Sequence, residues 1–291
     1  MKSKINLHVH TNHSSDGGTA VSELVPKLKD AGIEYFAITD HDILDANVEA
    51  AGYAEKYRMK HFNGIELSCR FSNGEIGFDA LCGCHILGLG VKLDEMQKRL
   101  KILREEETNN LQALYELLVA DGYKLELDNA NPIRRSMIRD ELIARGYATD
   151  KKDCNTNILC KNAYLQYVNY IDVQSAIKTI KECGGLAIWA HPFNALGFGR
   201  KKELTEQQIS ELLDLLCRYG LDGIEVYYQK YAGYTAEQIM FLESLANSKK
   251  MIKSIGTDYH GTGNERDRLF FSFEGIIPDE AIISFLENRC R

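Results

Sequence analysis

Residues 5–42, INLHVHTNHSSDGGTAVSELVPKLKDAGIEYFAITDHD, read as one strand, a Gly-containing loop, a helix and a second strand. Ile5–Val9 and Tyr35–Thr39 are the short apolar strands, and Val21–Ala31 is the helical stretch between them. The pattern returns along the chain. His61–Ile65, Leu186–Ala190, Gly223–Tyr228 and Met251–Gly256 read as strands, and Ala46–Tyr57, Glu206–Tyr219 and Thr235–Asn247 as helices. Repeated strand–helix alternation predicts an α/β fold with a parallel sheet or barrel. Phe71–Val91, containing EIGFDALCGCHILGLG, breaks the alternation and reads as a Gly-rich hairpin.

The middle of the chain differs. From Leu93 to about Tyr170 it reads as helix, beginning with LDEMQKRLKILREEETNNLQALYELLVADG. This stretch has apolar positions at Leu100, Ile102, Leu103, Leu111, Leu114, Leu117 and Leu118, with Gly122 as the expected stop. SMIRDELIARGY and NAYLQYVNY follow as shorter helices. The expected organisation is a discontinuous barrel over 1–92 and 171–291, with residues 93–170 as a helical insertion.

Composition narrows the function. The 291 residues carry 35 Lys+Arg and 42 Asp+Glu, a formal net charge of −7. That balance argues against duplex nucleic acid as a partner, which calls for clustered positive charge. No apolar run reaches the roughly 18 residues of a membrane span, and the start, MKSKINLHVH, is not a signal sequence, so neither membrane nor export is expected. The eight cysteines include no C-x-x-C pair and are expected to be reduced thiols of a cytoplasmic protein. Cys82 and Cys84, beside His85, read as small packing residues rather than a soft-metal site.

The histidines carry the chemistry. Of eight, six stand beside strand ends, mostly near a carboxylate or another histidine. His8 and His10 are two apart on the first strand, so both point to one face. His41 follows the second strand, Glu66 ends the third, and His85 lies on the hairpin. His191 closes another strand, while Asp258 and His260 follow the last; Asp16 sits in the loop SSDGG. In an α/β barrel, catalytic groups collect where strand ends converge. Imidazoles mixed with carboxylates suit Zn, Mn or Fe at a hydrolytic site. His13, in a polar loop, and His61, which opens a strand, are expected to stand outside it.

LHVHTNHSSDGG (7–18), ITDHD (38–42), GIELSC (64–69), HILGLG (85–90), AHPF (190–193) and GTDYHG (256–261) resemble, in order, the motifs of the PHP (polymerase and histidinol phosphatase) superfamily of metal-dependent phosphoesterases. NPIRRSMIRDELIARGY (131–147) is similar to the branch that hydrolyses nucleoside phosphates and short oligonucleotides. The resemblance implies a distorted (β/α)7 TIM-like barrel holding two or three divalent ions. One would take His8, His10, Glu66 and Asp258; a second would share Glu66 with His85 and His191; a third would take Asp16, His41 and His260. Some relatives have histidine where this chain has Asp16. His191, Asp258 and His260 are the candidate catalytic groups.

The implied reaction is attack of activated water on phosphorus, with inorganic phosphate as product. Three divalent ions against three carboxylates would leave the site at about +3, a field suited to a phosphomonoester dianion despite the acidic chain. Arg134 and Arg135 are candidates for substrate phosphate, because the planar guanidinium matches phosphate oxygens. Histidinol-phosphate phosphatase, amidohydrolase-type C–N hydrolysis and a non-catalytic metal-binding regulatory module are the competing readings.

Overall fold

The computed structural model describes residues 3–14, 16–71, 82–127, 133–159, 162–165, 167, 171–194, 196–197, 200–201, 204–228, 233–261, 263, 268–269 and 280–289. Strand β1 (Ile5–Val9) leads through helix α1 (Val21–Asp30) to β2 (Tyr35–Ile38), then through α2 (Ala46–Tyr57) to β3 (Lys60–Arg70) and β4 (Cys82–Leu89). Helices α3 (Leu93–Ala120), α4 (Arg135–Ala144), α5 (Lys151–Asp153) and α6 (Asn162–Leu165) follow, with a π-helical turn at Cys154–Leu159. The chain returns through β5 (Ile171–Asp172), α7 (Val173–Glu182), β6 (Leu186–Trp189) and the short strands β7 (Leu196–Gly197) and β8 (Arg200–Lys201). It ends with α8 (Glu206–Arg218), β9 (Gly223–Tyr228), α9 (Ala236–Ser248), β10 (Ile252–Gly256) and α10 (Glu280–Arg289).

Seven strands form a nearly closed barrel in the order β1-β2-β3-β4-β6-β9-β10. β1, β2 and β3 are parallel, as are β6, β9 and β10, while β4 runs antiparallel to both neighbours, β3 and β6. The last and first strands meet through two backbone bonds, Asp258 N–H to the His8 carbonyl at 2.9 Å and His10 N–H to the Tyr259 carbonyl at 2.8 Å. Asn6 adds two more: its amide donates to Thr257 Oγ1 at 2.8 Å, and Thr257 N–H donates to Asn6 Oδ1 at 3.2 Å. β1 is buried on both faces. Alternation puts Ile5, Leu7 and Val9 on one face and Asn6, His8 and His10 on the other. That second face looks across the barrel.

Three expectations change here. The third strand extends past Ile65 to Arg70, because β4 pairs with it as far as Arg70 opposite Gly83; Glu66 is therefore mid-strand rather than at a strand end. His85 lies on a hairpin arm as expected, but within β4, which pairs antiparallel with β3, rather than beside a strand end; residues 72–81 of the expected hairpin lie outside the described residues. The middle region is not helical throughout. Gly122, with φ +94°, ends α3 as expected, and residues 123–127 have no helical structure.

Helix α3 spans two packing environments. Met96 and Leu100 join the large cluster around the barrel, whereas Leu111, Leu114 and Leu118 belong to another cluster with Ile138, Leu142, Leu159 and Tyr164. Between them Arg104 donates to the Asp42 carbonyl at 3.2 Å, beside His41. At 1.5 Å per residue, α3 runs on for about 24 Å beyond that point. No described helix is long and apolar enough to cross a membrane.

The barrel can be tested at two polar positions, one buried and one partly buried. Asn6→Ala strands buried Thr257 groups and is expected to cost about 1–3 kcal/mol in chemical denaturation. His61, at the opposite end of β3 from Arg70, packs its ring 5.0 Å from Phe36, and burial pushes its pKa down to about 3. It therefore stays neutral in the fold while the unfolded chain takes up its proton below pH about 6.5. Stability is lost as pH falls from about 6.5 towards 3, by up to about 1.4 kcal/mol per unit. In metal-free protein, His61→Phe is expected to lose less stability than wild type as pH falls from about 7 to about 4.5.

Candidate metal centre

All nine side chains expected at the site converge at one end of the barrel, Asp16 from an exposed loop position. His8 Nε2 and His10 Nε2 are 3.2 Å apart, and they lie 3.2 and 3.1 Å from Glu66 Oε2. The same two nitrogens stand 3.5 and 3.2 Å from Asp258 Oδ1. Around the other carboxylate oxygen, Glu66 Oε1, are His85 Nδ1 at 2.8 Å and His191 Nε2 at 3.2 Å, themselves 3.2 Å apart. Asp16 Oδ2 gathers His260 Nε2 at 3.0 Å and His41 Nε2 at 3.6 Å.

These groups overlap. Donor atoms within 4.8 Å of one another form the sets His8/His10/Glu66/Asp258, His41/Glu66/His85 and His10/Asp16/His41/His260. Glu66 is shared as expected; His10 and His41 are shared as well, which spacing along the sequence did not reveal. His191, expected with Glu66 and His85, falls in none of these sets although its Nε2 lies 3.2 Å from Glu66 Oε1. His41 Nδ1 lies 3.3 Å from Glu66 Oε2, so its ring reaches toward two sets through two nitrogens. His13 is exposed and His61 lies apart from all three sets.

The donor set fits divalent cations. Two ligands each about 2.1 Å from one ion stand about 3.0–3.4 Å apart at right-angled or tetrahedral geometry, the spacing found here. Glu66 Oε2 and His41 Nδ1, which face each other within the cluster, are buried and have no hydrogen-bond partner, which is costly unless something else binds there. The electrostatics agree. Burial alone would drive the His8 pKa down, yet Glu66, Glu225 and Asp258 hold it well above its ordinary value. His41 is similarly pushed up to about 9 against burial by Glu66 and Asp16. For Glu66, burial is outweighed by His85, His8 and His41, which hold its carboxyl well below the usual range. His85 goes the other way: burial takes it down to about 4, against the pull of Glu66. Buried carboxylates here demand positive charge, and a cation meets that demand without protonating the imidazoles.

Local structure fixes these groups. His191 and Asp258 sit at φ +32° and +50°, unusual for non-glycine residues. Asp258 also accepts a hydrogen bond from Tyr228 Oη at Oδ2, 3.0 Å, while its Oδ1 faces the histidines. Asp40 accepts from Thr11 N–H at 2.6 Å and Thr11 Oγ1 at 2.7 Å, tying the loop that carries Asp16 to the end of β2. Glu225 is wholly buried and accepts from His8 and from the His191 backbone. Asp40, Glu225 and Tyr228 were not singled out from sequence. A carboxylate within the otherwise apolar strand GIEVYY was the available signal for Glu225.

The arginines separate. Arg135 lines a cavity of about 400 Å³ beside Asp42 and Ser68, together with Arg70 and Arg104, and its Nη2 donates to Asn155 Oδ1 at 3.1 Å. Arg134 is the exposed N-cap residue of α4 and does not line that cavity.

The chain is 26% identical over 266 residues to the phosphoribosyl 1,2-cyclic phosphate 1,2-diphosphodiesterase of Eggerthella lenta, covering 88% of this chain and 93% of that one. It is likewise 26% identical to a 5′-3′ exoribonuclease of Haemophilus influenzae, covering 89% and 91%. The same identity relates it to a 3′,5′-nucleoside bisphosphate phosphatase of Chromobacterium violaceum, covering 89% and 88%. Its fold matches a solved Chromobacterium violaceum protein described as an amidohydrolase, with TM-score 0.66 and 23% identity over 99% of this chain and 97% of that one. That likeness speaks to architecture and not to the reaction. With the PHP domain model matching residues 6–278, the chain belongs to the PHP domain family.

Proposed function

We propose that this phosphoesterase hydrolyses phosphomonoesters of nucleotides, of the AMP or 3′,5′-bisphosphonucleotide type, or short oligonucleotides, releasing inorganic phosphate from the monoesters. The observation that carries the reading is the sharing of Glu66, His10 and His41 among three donor sets, which would hold divalent ions close together. Three relatives named for nucleotide, RNA and cyclic ribose phosphate substrates support the substrate class.

His8, His10, Glu66 and Asp258 would hold one ion, Glu66, His85 and His191 a second, and Asp16, His41 and His260 a third; Mn, Fe and Zn all suit such donors. Bound there, the ions would supply Lewis acidity and an acidified water. His8, His10 and Glu66 have no exposed surface, while His191, Asp258 and His260 keep 6%, 4% and 6%. These last three keep a little accessible surface, though less than His85, His41 and Asp16, and are assigned to meet the reacting phosphoryl group. Arg135, in its cavity beside Asp42, is the stronger candidate of the arginine pair for phosphate recognition. The helices of 93–170 act in this reading as a lid that excludes water. The described cysteines Cys69, Cys84, Cys154, Cys183 and Cys217 are free, which fits work in the reducing cytoplasm.

Chelation is expected to abolish hydrolysis and Mn to restore it. Asp258→Asn is expected to cut turnover by more than about 100-fold and to lower bound metal while far-UV circular dichroism stays unchanged. A panel of AMP, 3′,5′-bisphosphoadenosine, histidinol phosphate and short oligonucleotides checks the substrate class. Preference for histidinol phosphate overturns it.

A further inference from the structure

Glu225 lies on β9, between Ile224 and Val226, and has no exposed surface. Both of its oxygens are used. Oε1 lies 3.0 Å from His8 Nδ1, and Oε2 accepts the backbone N–H of His191 at 2.9 Å. An ionised carboxylate only accepts, so His8 Nδ1 must carry the proton. The lone pair of His8 is then at Nε2, the atom that faces Glu66, His10 and Asp258.

The second contact acts through the backbone. His191 stands at φ +32°, a conformation that costs a non-glycine residue free energy and persists only where its surroundings enforce it. The bond from its N–H to Glu225 is such a restraint. It holds the turn that aims Nε2 at Glu66 Oε1, 3.2 Å away.

Space for this carboxylate is made by a neighbour. A Cβ on Gly256 of β10 would lie 2.2 Å from His8 Cβ and 2.4 Å from Glu225 Oε1. Only glycine at 256 lets the last strand pass this close to the His8–Glu225 pair.

We infer that Glu225 is a positioning residue that acts at two of the proposed ion sites at once: it selects the Nδ1-protonated tautomer of His8 and locks the backbone of His191. This rests on the assignment of His8 and His191 as metal ligands. Partners behind a ligating histidine typically change metal affinity 10–100-fold when removed.

Substituting the amide for the acid tests the division of labour. A glutamine side chain presents one oxygen and one NH2 where the carboxylate of Glu225 presents two acceptors. Either orientation leaves one N–H donor, of His8 or of His191, facing a second donor. Glu225→Gln is therefore expected to keep its secondary structure by circular dichroism and to bind Mn about 10–100-fold more weakly by calorimetry. Glu225→Gln binding Mn as tightly as wild type overturns the inference. Should the variant fail to fold, 15N NMR of zinc-loaded wild type decides it. A proton on His8 Nδ1 is expected; a proton on Nε2 overturns the inference. If zinc-loaded wild type shows no metal-dependent shift at any of the nine side chains, the metal assignment itself fails, which is a separate result.

Discussion

Closure of β10 onto β1 is the constraint on which the site depends. Two backbone bonds and the Asn6–Thr257 pair join strands some 250 residues apart in the chain. Those bonds fall at His8, His10, Asp258 and Tyr259, the residues that carry or flank the donor groups. The register of one strand pairing thus sets the distance between His8, His10 and Asp258. A slip of one residue would turn both histidines to the opposite face. The geometry of the donor cluster and the closure of the barrel are held by the same hydrogen bonds.

Burying the carboxylates of Glu66, Asp258 and Glu225 among imidazoles in an apolar barrel is unfavourable unless positive charge is supplied. Asp16, Glu66 and Asp258 meet the histidines directly, and Glu225 stands one layer behind. Counting Glu225 lowers the field inferred from three carboxylates to about +2 with three ions bound. With that many ions bound, the site would stay positive. The strained backbones of His191 and Asp258 fit the same logic, since the surrounding bonds hold these donor groups in place.

The antiparallel strand β4 explains how the helical region comes to stand beside the site. Because β4 runs counter to β3, it ends away from the donor cluster. α3 then starts at that end, passes Asp42 and continues beyond the barrel into a separate apolar cluster. The Arg135 cavity lies along this path, bounded by α3 and β3. A single long helix therefore links the barrel core to the packing unit that carries Arg134 and Arg135.

Much of this was legible in the chain. Strand–helix alternation placed most elements within a residue or two, and the spacing of His8 and His10 already required one face for both, since side chains alternate along a strand. The order of the motifs pointed to the family before any contact was known. Strand length and direction were less visible, because Glu66 and His85 sit in a ladder whose extent depends on pairing between β3 and β4. Which histidines are shared, and that Glu225 binds both His8 and His191, depended on three-dimensional closure. The order of residues determines which groups are available and which way each strand turns them. Distances between groups on different strands come from register, twist and packing, and those exist only once the barrel has closed.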